Sequence, residues 1–156
     1  MYFRYLEEFQ QLNTNKIKGV SKLYKPALLL AVIEGIELGT ILNRRIYITP
    51  ELITSFRRQL IALGATKSYQ ARNFAYPFYH LSNESFWQLK EKPDKKIILT
   101  ASNSISGLSQ LSEAVDYAQL DINLWEVLVS SSNRSGLRSA LLAKYGMDTE
   151  SDKGTE

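Results

Sequence analysis

The run Tyr24-Lys25-Pro26-Ala27-Leu28-Leu29-Leu30-Ala31-Val32-Ile33 decides the fold, because an apolar stretch of this kind opened by a proline reads as a buried helix. Pro26 suits the first helical position: its ring presets the backbone angle, and the amide hydrogen it lacks would have had no partner there. The spacing predicts a helix from Pro26 to about Leu38, stopped by Gly39. The amides after Pro26 lie at the positive end of the helix dipole and favour an anion, and Lys25 adds a full charge beside them. A phosphate would sit well at this point, although taken alone the stretch is more readily read as a buried helix with an ordinary start.

Outward from this helix the pattern is mostly helical. Tyr2, Leu6, Phe9 and Leu12 recur at helical spacing over residues 2–13, whereas 13–23 is a polar, basic loop. Ile41 to Thr49 reads as a short strand, and Pro50 opens a helix striped by Leu52, Phe56, Leu60 and Leu63 that Gly64 ends. Residues 65–75 read as a surface loop, followed by strands over Phe86–Lys90 and Lys95–Thr100 and a serine-rich loop over Ala101–Gly107. A short helix over Leu108–Ala114, a strand over Val115–Leu120 and two helices capped by Asp121 and by Ser132 or Asn133 complete the chain to Gly146. The expected class is a mostly helical α+β domain with a few short strands over residues 1–146, and a polar tail or linker over 147–156.

Composition narrows the chemistry. The 156 residues contain no cysteine and one histidine, so disulfides and thiolate zinc sites are excluded and no metal site is expected. No apolar run approaches the roughly 20 residues of a membrane span, and the first residues lack the apolar segment of a signal peptide, so a cytoplasmic protein is expected. Net charge is +3, but the tail from Asp148 carries four acids and one base, leaving residues 1–147 at +6. A balance of that sign is compatible with nucleic acid.

No phosphate-cradling glycine loop, nucleophile elbow or zinc-protease signature is present, and no cofactor or catalytic residue is expected. His80 could serve a metal-dependent nuclease with Asp94 or Glu91, but no second carboxylate follows at a persuasive spacing. Basic and aromatic residues in loops, among them Lys22, Lys25, Lys67, Tyr69, Arg72 and Tyr76, leave generic DNA binding open as a second reading.

The order of Tyr24-Lys25-Pro26-Ala27-Leu28-Leu29-Leu30, then Tyr76-Pro77-Phe78-Tyr79-His80-Leu81, then Phe86-Trp87-Gln88-Leu89, resembles one family. It is similar to the sulfur-binding domain of restriction endonucleases that recognise phosphorothioated DNA, and the likeness runs through Tyr117-Ala118-Gln119-Leu120-Asp121 and the helices after it. The resemblance implies a domain that binds double-stranded DNA in which sulfur replaces one non-bridging phosphate oxygen, ahead of a separate HNH nuclease. An HNH site needs more than one histidine, so this chain looks like the reader alone, with Met147 opening a linker. The resemblance further implies a sulfur pocket of Tyr76, Pro77 and His80, flanked by Tyr24 and Lys25. Lys22, Lys67 and Arg72 would add phosphate contacts, and Ser102, Asn103 and Ser104 would approach the DNA. The family commonly carries a small residue at the position of His80.

Overall fold

A computed structural model of the chain describes residues 1–14, 22–65 and 71–146. The elements in order are α1 (Tyr2–Gln10), α2 (Tyr24–Leu38), β1 (Arg45–Ile46), α3 (Pro50–Ala62), α4 (Ala71–His80), β2 (Trp87–Glu91), α5 (Leu108–Ala114), β3 (Val115–Leu120), α6 (Ile122–Leu128) and α7 (Ser131–Tyr145). This is the mostly helical α+β class expected from sequence.

Helix α2 is its axis. Every residue from Lys25 to Ile33 is buried, as is Gly35, because α3, α4 and α7 all pack on it. A helix apolar all round is stable only when enclosed in this way. Each leucine so buried contributes about 1.5–3 kcal/mol relative to exposure. The helix starts at Tyr24, two residues before the expected Pro26, which still falls in the first turn where a missing amide costs nothing. Gly39 ends it at φ 79°, a left-handed angle that favours glycine, with its amide turned back to Ile36 and Gly35.

The sheet has order β1-β3-β2 and is antiparallel throughout, pairing Ile46 with Ala118 and Trp87 with Leu120. Its inward face buries Ile46, Trp87, Ala118 and Leu120, and the indole of Trp87 donates to the Phe78 carbonyl at 2.9 Å, fastening the sheet to α4. Helix α1 lies on α7, where the Tyr145 hydroxyl donates to the Phe9 carbonyl at 2.9 Å and accepts from the Leu12 amide at 3.1 Å.

Four sequence expectations change. The strand over Ile41–Thr49 shrinks to Arg45–Ile46, the two residues that pair in register with β3, with the Arg44 carbonyl accepting from the Leu120 amide at 2.8 Å just before them. Lys95–Thr100 forms no strand: Ile97 donates to the Glu91 carboxylate at 2.8 Å and the Ile98 carbonyl accepts from Gln110 at 2.6 Å, so side chains take the place of a ladder. The loop expected to 75 gives way at Ala71 to α4, whose Phe74 and Ala75 are buried. The last helix is capped by Ser130, whose hydroxyl accepts from the Asn133 amide, rather than by Ser132 or Asn133. The tail from 147 lies outside the described residues. Among the described residues no helix is long and apolar enough to cross a membrane.

Candidate nucleic-acid interface

The first turn of α2, the outer face of α4 and the loop after β2 meet at a cleft of about 470 Å³. Tyr24, Asn73 and Tyr76 line it from the helices, and Thr100, Ser102, Ser104, Ile105 and Ser106 from the loop. Six of these eight residues carry a hydroxyl and none carries a charge, so the cleft presents dipoles and aromatic rings.

Local sequence explains each wall. Asn73, Tyr76 and His80 stand three and four residues apart on α4, and so share one face. The Tyr76 and His80 rings lie 4.2 Å apart at 39°, and Tyr24 and Tyr76 make a T-shaped contact at 6.0 Å. The opposing loop closes on itself: the Thr100 amide donates to the Ser104 carbonyl at 2.7 Å, and that of Asn103 to the Thr100 carbonyl at 2.9 Å. Asn103 takes φ 61°, a left-handed angle that asparagine tolerates better than most residues. A hydrogen bond of 2.8 Å between His80 Nε2 and Ser104 Oγ joins the two walls.

Electrostatics keeps the aromatic side neutral. Burial, and then the neighbouring Tyr24, push the Tyr76 phenol above its ordinary 10.0. Burial, and then Lys25, hold His80 below its ordinary 6.5. The unfolded chain therefore takes up a proton that folded His80 resists, so unfolding becomes easier as pH falls below 6.5. Urea midpoints measured at about pH 7.5 and 5.5 are expected to separate more for the wild type than for His80→Gln, which removes this titration. Equal separation would show that His80 protonates freely in the fold.

Several expected site residues converge and others do not. Tyr24, Tyr76, Ser102 and Ser104 line the cleft, with His80 behind Tyr76; Asn103 is exposed at the turn of the loop, and Lys22 is exposed just before α2. Pro77, the next residue on α4, is buried and does not line the cleft. Lys25 is buried too. It is only 2% exposed, and its ammonium is bonded to Glu84 at 2.7 Å and to the Asn13 carbonyl at 3.1 Å inside the fold. Lys67 and the side chain of Arg72 lie outside the described residues.

Asn73, Thr100, Ile105 and Ser106 were not expected. A helical reading of 71–75 would have found Asn73, three residues before Tyr76 on the same face. The metal-dependent alternative gains no geometry: Asp94 lines a different hollow with Lys95, Lys96 and Glu113. Glu91 accepts the Ile97 amide, and among the described residues no three metal-ligating side chains cluster. Compared with models of protein families and with curated proteins, the chain matches none.

Proposed function

We propose that this chain is a non-catalytic reader of phosphorothioate-modified double-stranded DNA, acting in the cytoplasm to direct a restriction endonuclease to modified sites. The observation that carries the reading is convergence. Tyr24, the Tyr76–His80 pair and the Ser102–Ser104 loop, which the family resemblance singles out in three distant stretches, border one cleft with a neutral aromatic side.

The physics of the exchanged atom fits that cleft. A phosphate oxygen is strongly hydrated, and pressing it on a ring face costs desolvation. Sulfur is larger, more polarizable and more weakly hydrated, and it gains dispersion against aromatic rings worth about 0.3–1.5 kcal/mol per contact. The Tyr76 face, backed by His80, supplies such a surface, and the hydroxyls opposite suit the oxygens that remain. Both linkages carry one negative charge, so exposed lysines such as Lys22 would add affinity without telling them apart.

Competition tests this reading. A labelled phosphorothioate duplex is expected to stay bound against a severalfold excess of the same sequence with oxygen only. Displacement in proportion to competitor would assign the cleft to ordinary DNA. DNA cleavage that requires Mg²⁺ and disappears in His80→Ala would instead make the chain an enzyme.

A further inference from the structure

We propose that Tyr24 donates its phenolic proton to a non-bridging oxygen of the bound linkage, and that Asn73 is the positioning residue that aims it. This rests on the cleft being the DNA site proposed above. The Asn73 side-chain amide donates to the Tyr24 hydroxyl at 3.0 Å, which fills a lone pair of the phenol and directs its own proton elsewhere. Among the described residues no acceptor takes that proton, and Tyr24 lines the cleft. Edge contacts with Phe56 at 6.2 Å and Tyr76 at 6.0 Å hold the ring, so the direction of its hydroxyl is built in.

The other hydroxyls narrow the choice. Thr100 and Ser102 share one hydrogen bond at 3.1 Å, which commits the proton of one of them, while Ser104 is bonded to His80 at 2.8 Å and Ser106 donates to Gln110. Tyr24 and Tyr76 are left as the phenols of the cleft whose protons no described residue accepts. Where no charged side chain lines the cleft, an anionic oxygen has to be met by such a donor, and a hydrogen bond to a charged acceptor is about twice as strong as a neutral one. Sulfur accepts hydrogen bonds weakly, so Tyr24 acts on the oxygen that remains and serves modified and unmodified linkages alike.

The test is a double-mutant cycle on two duplexes of one sequence, with and without a single phosphorothioate, using variants checked for wild-type melting. Tyr24→Phe keeps the ring and is expected to weaken both duplexes by about tenfold, with the sulfur preference and the salt slope unchanged. Asn73→Ala is expected to weaken binding by a smaller factor in the wild type and not at all in the Tyr24→Phe background, which a merely structural asparagine would not do. Unchanged affinity in Tyr24→Phe, or an Asn73→Ala loss that persists in that background, overturns the inference. If Tyr24→Phe weakens both duplexes while the wild type shows no sulfur preference, the inference stands and the sulfur reading falls. Failure of the wild type to bind either duplex removes both.

Discussion

Lys25→Met is expected to lower the free energy of unfolding by about 3–5 kcal/mol, the range seen when one partner of a buried ion pair is removed. Lys25 and Glu84 are 2% and 12% exposed at the side chain and 2.7 Å apart, and Asn13 bonds both through its carbonyl and its amide. The pair thereby ties the chain after α1 to the first turn of α2 and to the turn after α4. Removing the ammonium leaves the Glu84 carboxylate short of water and of its countercharge, whereas Lys25→Met with Glu84→Leu removes both charges and is expected to recover much of the loss. Urea denaturation of the two variants measures this. A loss below about 1 kcal/mol for Lys25→Met would place the pair among surface bridges of little weight. In conditions where the variant is folded, the salt dependence of DNA binding is expected to match the wild type. A slope smaller by about one unit would return Lys25 to a phosphate.

Tyr76→Ala is expected to bring the preference for a phosphorothioate duplex from tenfold or more to near unity, while affinity for the oxygen duplex changes less than about threefold. Tyr76 is the α4 ring that lines the cleft, and on the proposed reading its loss would remove both the polarizable surface for sulfur and the apolar face that penalises oxygen. Pro77→Ala provides the contrast. Because Pro77 is buried off the cleft wall, its substitution is expected to alter stability and leave the preference intact. Paired binding isotherms for the two variants settle the matter: a collapse of preference in Pro77→Ala but not in Tyr76→Ala would place the sulfur on the other side of α4.

Local signals carried most of the fold. The apolar run of α2, its Gly39 stop, the Pro50 start of α3, and the Leu108–Ala114 and Val115–Leu120 boundaries all follow from propensity and capping, and all appear where the pattern puts them. What was not legible depended on partners distant in sequence. Lys25 reads as an anion contact because Glu84, fifty-nine residues on, cannot be paired with it by spacing. Lys95–Thr100 has strand composition, but Glu91 and Gln110 side chains satisfy its backbone instead of a neighbouring strand. In the cleft, Tyr24, Tyr76 and His80 stand out as aromatic and basic punctuation. Thr100 and Ser106 look like any loop hydroxyls until the turn at Asn103 folds them across from α4.

The most direct measurement is equilibrium binding of the wild-type protein to two duplexes identical except for one sulfur, at near-physiological salt and over several flanking sequences. A Kd ratio of at least about ten in favour of sulfur, equivalent to about 1.4 kcal/mol, is predicted in at least one context. Equal affinity in every context would contradict a sulfur-reading cleft.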